Sequence, residues 1–440
     1  MRSVAVVGAG IAGLTAAYSL RRRGVPVRVY EASGRVGGVI RSFRRDGYLA
    51  EFGPNTILES SPVIGRLVEE AGIAGRRRDT DPTATTRYVV RRGRPVPVPF
   101  GPLGFLTTGL LSPRAKLAVL REPFVPARRD GAEESVAQLV TRRLSREIVD
   151  RLVDAMVAGI YAGDPDALSV THAFPRLKAL EDEHGSLVRG LIFGERKRRG
   201  AAFSFDEGLA VLPDALAAHL GDAIVLGAPV TEVTRAEPGF RVATPAGAAE
   251  HGAVVFCGGA TGVAGIRVEG ASLAPLREIR YPPVASVVLG FRRDEVAHPC
   301  RGFGVLTPRV EGFRVLGTIF SSSLLPGRAP AGHLTLTSFV GGERNPELAS
   351  LEEEELIGIV VEDLRRLLGV SGAPTFRHLA LYPRAIPQYD VGYGRFKALM
   401  TEVETRIPGL FFAGHVVDGV ALGDAIVSGT RAADRCLAVP

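Results

Sequence analysis

Three glycines near the start of the chain, Gly8, Gly10 and Gly13, stand in the spacing G-x-G-x-x-G within VAVVGAGIAGLTAAYSL. That spacing serves one chemistry well. Gly8 permits a tight turn, Gly10 lets the main chain approach a pyrophosphate, and Gly13 lets a helix pack close to a strand, so that the N-terminus of the helix faces the anion. Ala9, Ile11 and Ala12 complete the loop. An acidic partner follows as Glu31, closing VPVRVYEAS, about 20 residues on, where a carboxylate meets ribose hydroxyls and repels a 2′-phosphate. The elements that must position these residues are legible too. The apolar, mostly β-branched run Val4 to Val7 reads as a strand that stops at glycine. Ile11, Leu14, Ala17, Tyr18 and Leu20 then recur at helical spacing. The segment therefore predicts strand, turn and helix around a bound dinucleotide.

A second half of such a site lies at the far end of the chain. Leu410 to Ala413 read as a short apolar strand ended by Gly414. Gly419 to Leu422 lead into a helix expected to begin near Gly423 and Asp424. Unpaired N–H groups at a helix start stabilise negative charge, such as the charge left at the N1 and C2-carbonyl edge of a two-electron-reduced flavin. Between the two ends, VLGAPVTEVTRAEPGFRVAT alternates like a hairpin with a turn at Glu237-Pro238-Gly239.

Past Glu31 the chain reads ASGRVGGVIRSFRRDGYLAEFGPNTI, with Arg35, the Gly37-Gly38 doublet, Arg41 and then Glu51 to Asn55. At these residues it resembles the FAD-dependent amine oxidase and protoporphyrinogen oxidase superfamily. The C-terminal segment, SFDEGLAVLPDAL, GIYAGDPDALSV and the I-P-Q-Y of YPRAIPQYDVGYGRF extend the resemblance nearly end to end, and it is closest to protoporphyrinogen oxidases of the bacterial haem pathway. The resemblance implies non-covalent FAD. Beyond the glycine loop and Glu31, it assigns cofactor contacts to Ala32, Arg35, Gly37, Gly38, Val39, Gly53, Pro54, Asn55, Thr56, Val230, Gly414, His415, Val420, Ala421 and Leu422. For a broad apolar tetrapyrrole with carboxylates at one edge it implies Arg87 as the partner of a propionate, with Phe303, Gly304, Leu306 and Phe339 against the rings.

The implied reaction is oxidation of protoporphyrinogen IX to protoporphyrin IX by three two-electron hydride transfers to flavin, with molecular oxygen restoring the flavin and leaving hydrogen peroxide. No side chain is expected to act as acid or base, because flavin N5 does the chemistry. Coproporphyrinogen III oxidation is the alternative, since both activities share every motif quoted. An FAD amine oxidase is a further rival, but a flavin-linked cysteine or a lysine near N5 is not evident. The sequence departs from the pattern at Asn55, where some relatives carry arginine, at His415, where small residues are common, and near Gly394, where some carry tryptophan.

The implied architecture is α/β, α+β overall. It comprises a Rossmann-like FAD-binding domain of the glutathione-reductase and amine-oxidase type, an inserted mixed-sheet substrate domain and a helical subdomain. The FAD domain would combine residues 1–80, 204–275 and 395–440. The substrate domain would take 81–97 and 276–394, and the helices 98–203. At 440 residues, 46% hydrophobic and 23% charged, the chain has the composition of a globular protein of more than one domain. Its net charge of +7 comes mainly from arginine, with clusters at Arg76 to Arg78, Arg91 to Arg94 and Arg196 to Arg199. They lack interleaved aromatics, so no nucleic-acid partner is expected. Cys257, Cys300 and Cys436 form neither a disulfide framework nor a metal site, which fits a cytoplasmic location. The apolar stretch Val98 to Leu111 is shorter than the roughly 20 residues a spanning helix needs. Flanked by Arg91, Arg92, Arg94, Arg114, Lys116 and Arg121, it suits either a peripheral contact with the inner face of the cell membrane or a loop over a channel. Expected partners are the porphyrinogen, oxygen, a membrane surface and ferrochelatase, with the chain a monomer or homodimer.

Overall fold

The computed structural model describes residues 3–99, 101–194 and 200–438. A five-stranded sheet is gathered from four distant stretches of chain, in the order Ile224–Val225, Val27–Tyr30, Val4–Val7, Ala253–Phe256, Leu410–Phe412. Every pairing is parallel. Its strands are mostly apolar, Arg28 excepted, because both faces are covered. Val4, Val6, Val29 and Val255 pack with Leu14, Ala17 and Leu20 of the opening helix, Ile11–Arg22, and with Ile426 of the closing helix, Leu422–Leu437. Ala5, Val7, Val254 and Phe256 face the other way, into a core that includes Phe396, Met400 and Phe412. The expected turn at Glu237-Pro238-Gly239 joins Glu232–Arg235 to Phe240–Thr244, paired antiparallel from Glu232↔Ala243 to Arg235↔Phe240.

A second, seven-stranded sheet runs Phe376–Tyr382, Val284–Arg292, His333–Gly341, Val315–Ile319, Gly304–Leu306, Arg87–Arg91, Arg94–Pro97. It is antiparallel except where Gly304–Leu306 lies parallel to Arg87–Arg91. One face carries Ala285, Val287, Leu289 and Leu336, covered by Leu356, Val360, Leu364 and Leu367 of the helix Glu353–Leu368. That helix opens on Glu353, Glu354 and Glu355 and closes on Arg365 and Arg366 before a left-handed Gly369, so charge and dipole agree at both ends.

Helices of residues 113–193 pack beside this sheet, and the helix Asp154–Tyr161 ends on a left-handed Ala162. The helix Asp154–Tyr161 is latched to the sheet by ions. Arg344 donates to Asp154 at 3.0 Å and to the Thr307 carbonyl at 2.8 Å, while Asp154 also accepts from the Arg309 N–H at 2.6 Å. A second network lies deeper. Arg143, with no exposed surface, bridges Glu122 and Glu181, and Arg142 joins Glu181 to Glu134. Arginines of the clusters near the sheets are paired in the same manner, Arg76 with Asp206 and Arg77 with Glu59 and Asp79. The cluster Arg196 to Arg199 lies outside the described residues.

Among the described residues no helix is long and apolar enough to cross a membrane. Within the stretch 98–111, Phe100 lies outside the described residues. Leu110 and Leu111 are buried in the main core, with Val98 and Phe105 packed against it. Exposed apolar side chains stand instead just beyond, at Leu117, Leu120 and Phe124, and at Leu191, Ile192 and Phe193.

Candidate functional site

The glycine loop has the geometry its spacing demands. Gly8 adopts φ +104°, a region closed to most side chains. A Cβ on Gly13 would stand 2.0 Å from the Gly8 carbonyl oxygen, so the opening helix abuts the turn as only glycine allows. A Cβ on Gly10 would meet nothing within 4 Å, and Gly10 caps the helix start with no side-chain hydrogen bond. Bare N–H groups of that helix therefore face open space, the arrangement a phosphate requires.

Glu31 follows directly on the strand Val27–Tyr30. It accepts from the Ala9 N–H at 2.7 Å and from the Ser33 N–H at 2.9 Å and hydroxyl at 2.8 Å. A carboxylate offers about four acceptor positions, so Glu31 retains capacity for hydroxyl donors. Its own carbonyl accepts from Ala228 at 2.8 Å, which brings the Val230 segment alongside. The Gly37-Gly38 doublet pairs with Gly10 as an isolated bridge, and Gly37 donates to the Ala9 carbonyl at 2.8 Å. Arg35 does not reach outward: its guanidinium binds the carbonyls of Val36, Gly38 and Ile40 and pins the doublet. Ala32 and Val39 are exposed beside it. The Tyr382 hydroxyl of the seven-stranded sheet donates to the Val39 carbonyl at 3.2 Å and lies against Gly53. Asn55, nearly buried, donates to the Gly53 carbonyl at 2.9 Å and so shapes the turn through Pro54 and Thr56.

The far end of the chain joins the same place. A Cβ on Gly414 would lie 3.4 Å from the Ala12 methyl, and one on Gly429 would lie 2.2 Å from the Ala12 carbonyl oxygen. The closing helix starts at Leu422, one residue before the sequence expectation, with Ala421 at its cap, no side-chain cap bond, and Val420, Ala421 and Leu422 all reached by solvent. His415 is neutral, since burial pushes its imidazole down to about 4. Its Nε2 lies 3.3 Å from the Tyr281 hydroxyl, which in turn accepts from the Ala260 N–H at 3.1 Å.

The residues expected to bind the substrate reach one face of the seven-stranded sheet but not one open space. Strand register sets Arg87, Gly304, Ile319 and Thr337 in one row and Leu306, Gly317 and Phe339 in the next. Leu306 is wedged between Gly159 and Gly317, where a Cβ would stand 2.6 and 2.9 Å from it. Phe339 packs with Ala158, Ala162 and Val284. Phe303 instead lies on Ala84, Leu324 and Leu325, with the Arg87 guanidinium 5.1 Å over its ring. Arg87 is exposed.

Sequence reasoning missed the tyrosines Tyr281, Tyr382, Tyr389 and Tyr393. Their partners are mostly main-chain atoms outside their own segment, with the His415 ring beside Tyr281, and the only available signal was the I-P-Q-Y motif itself.

Open space at Gly10, two uncapped helix starts, a strand-end carboxylate with free acceptor capacity and a neutral histidine together fit a flavin nucleotide. Comparison with known proteins agrees. The family model described as flavin containing amine oxidoreductase matches residues 11–437. Protoporphyrinogen oxidase 2 of Arabidopsis thaliana is 36% identical over 98% of this chain and 93% of its own length. Coproporphyrinogen III oxidase of Bacillus subtilis is 27% identical over 99% and 98%. A crystal structure of a candidate protoporphyrinogen oxidase from Exiguobacterium sp. 255-15 superposes with a TM-score of 0.85 at 25% identity, covering 98% of both chains. The chain belongs to the flavin containing amine oxidoreductase family and is a flavin-dependent oxidoreductase.

Proposed function

We propose that the chain binds FAD non-covalently and oxidises protoporphyrinogen IX to protoporphyrin IX. The observation that carries the substrate class is the exposed Arg87 guanidinium stacked over Phe303 at the edge of the seven-stranded sheet. A cation beside an aromatic face suits a flat apolar ring system that bears carboxylates. Near full-length similarity to the Arabidopsis enzyme supports the same reading.

Bound flavin supplies hydride acceptance at N5, so the protein's task is binding, orientation and electrostatics. Glu31 takes the ribose hydroxyls, and the bare N–H groups at the opening helix take the pyrophosphate. The start of the closing helix favours negative charge at the far edge of the isoalloxazine. Above about pH 4 His415 brings no positive charge of its own to that edge.

Coproporphyrinogen III is the second reading, favoured by the Bacillus relative. Anaerobic mixing with each reduced porphyrinogen, read as loss of flavin absorbance, decides between them. Fast bleaching by protoporphyrinogen is expected, bleaching by coproporphyrinogen alone selects the second reading, and a flavin left oxidised by both refutes the porphyrinogen reading. Oxygen as final acceptor, peripheral attachment to the inner face of the membrane, association with ferrochelatase and a monomeric or homodimeric state belong to the same proposal. For attachment, the exposed Leu120, Phe124, Leu191 and Phe193 are better placed than the core-facing Leu110 and Leu111. Phe124→Glu should weaken co-sedimentation with anionic liposomes, and undiminished pelleting removes that patch from consideration.

A further inference from the structure

The I-P-Q-Y motif recurs in the site as a clamp. Tyr389 donates its hydroxyl to the carbonyl of His415, and Tyr393 donates at 2.8 Å to the next carbonyl, that of Val416. Both rings are fully enclosed, 1% exposed, with centroids 4.3 Å apart. Two successive peptides of the turn after Gly414 are thus held by two adjacent phenols whose rings are tilted by 36°.

The same short segment is tied down on its other sides. Gln388 donates from Nε2 to the Tyr161 carbonyl at 2.9 Å, and its main-chain N–H donates to the Arg280 carbonyl at 2.9 Å. The Tyr389 carbonyl accepts from Ser169 at 2.8 Å, and Val391 donates to Ala167 at 3.0 Å. Arg280 grips Asp390 and Glu343, each at 2.9 Å. Residues 386–393 therefore connect the helical region, the approach to the seven-stranded sheet and the turn that leads to the closing helix.

In a trans peptide the N–H points opposite to the carbonyl. Holding the His415 and Val416 carbonyls toward the tyrosines turns the N–H groups of Val416 and Val417 to the opposite side. Val417 donates to Gly414 at 3.0 Å, as Asp418 does at 3.2 Å, which closes the turn. The Ser428 hydroxyl of the closing helix accepts from the Gly414 N–H at 2.8 Å and donates to the Asp418 carboxylate. A short turn held from both sides has one orientation to offer.

The geometry points to Tyr389 and Tyr393 as positioning residues for the flavin: by fixing the His415–Val416 and Val416–Val417 peptides, they set the peptide dipoles and the Val416 N–H presented to the isoalloxazine edge and thereby its reduction potential. The inference rests on the flavin assignment and is independent of the identity of the oxidised substrate.

The test uses the flavin-loaded protein and its Tyr389→Phe, Tyr393→Phe and doubly substituted variants, with Tyr161→Phe as control. Tyr161 belongs to the same aromatic group and donates to the Ala173 carbonyl at 3.0 Å, but makes no bond to the turn. Flavin midpoint potential, absorption spectrum and thermal midpoint are measured for each. Phenylalanine at 389 or 393 is expected to retain flavin, alter the visible spectrum and shift the potential, with a fall of roughly threefold to tenfold in the equilibrium constant for reduction, the scale of one weakened hydrogen bond. Tyr161→Phe is expected to lower the thermal midpoint alone. Wild-type potential and spectrum in both single variants, or an equal shift in Tyr161→Phe, overturns the assignment. If the double variant fails to fold, the single variants decide.

Discussion

The parallel nucleotide sheet and the antiparallel seven-stranded sheet solve the same packing problem with different materials. The first builds its site from main chain: glycines at 8, 10, 13 and 414 and two helix starts with bare N–H groups. The second builds with side chains, and ion pairs hold it to its surroundings, Arg344 to Asp154 and Arg328 to Glu51 at 2.7 Å. A site made from backbone tolerates almost no added atoms. One made from side chains tolerates exchange if partners are exchanged together.

The sharpest break of this contrast is Gly13→Val. With a Cβ 2.0 Å from the Gly8 oxygen, it should cost about 3 kcal/mol or more and leave the purified protein colourless; one flavin per chain in that variant would show that the loop yields as readily as a side-chain site. At the latch, Arg344→Met alone should cost about 3–5 kcal/mol by stranding Asp154 in a buried place, whereas Arg344→Met with Asp154→Leu should recover most of it. Denaturant midpoints measure both, and a double variant no better than the single one contradicts the exchange rule.

Acid should discriminate between the regions as well. Burial alone would raise the Glu181 carboxyl, but hydrogen bonds from Arg142 and Arg143 bring it down to about 2 from an ordinary 4.5. A lowered carboxylate contributes stability that is present above about pH 4.5 and fades as pH falls toward about 2. The acid limb of thermal unfolding should flatten in Glu181→Gln, and an unchanged slope would mean that other groups govern it. Smallest of all, Arg87→Ala should raise the KM for the porphyrinogen about tenfold, or about 1.4 kcal/mol, with kcat little changed. An unaltered KM removes Arg87 from the site.

The same contrast explains what could be read from the sequence. Glycine spacing is a local statement about backbone, so the strand, turn and helix of residues 4–22, Glu31 after its strand and the hairpin at 232–244 were all legible. The closing helix was placed to within one residue for the same reason. Side-chain sites depend on partners outside the local segment, 26 residues away for Tyr389 and 190 for Asp154. Nothing near Tyr389 announces His415, and nothing near Asp154 announces Arg344. The resemblance set Phe303 and Phe339 against the same rings; in the fold they pack on separate apolar clusters, Phe339 within a strand and Phe303 just before one, a difference that residue type alone does not show. Arg35, assigned a cofactor contact by the resemblance, also holds its own loop through the carbonyls of Val36, Gly38 and Ile40, a bond pattern that its residue type does not announce.

The edge strand Leu410–Phe412 pairs with Ala253–Phe256, whose own partner was laid down at the very beginning of the polypeptide. The strands Val4–Val7 and Val27–Tyr30 are separated by long stretches of chain from Ala253–Phe256 and Leu410–Phe412, which complete their sheet. Such distant pairings fold slowly, and unpaired edges in waiting chains invite aggregation. A sheet closed by so distant a strand is expected to form slowly, so the yield of coloured protein should rise with added chaperone and slower expression.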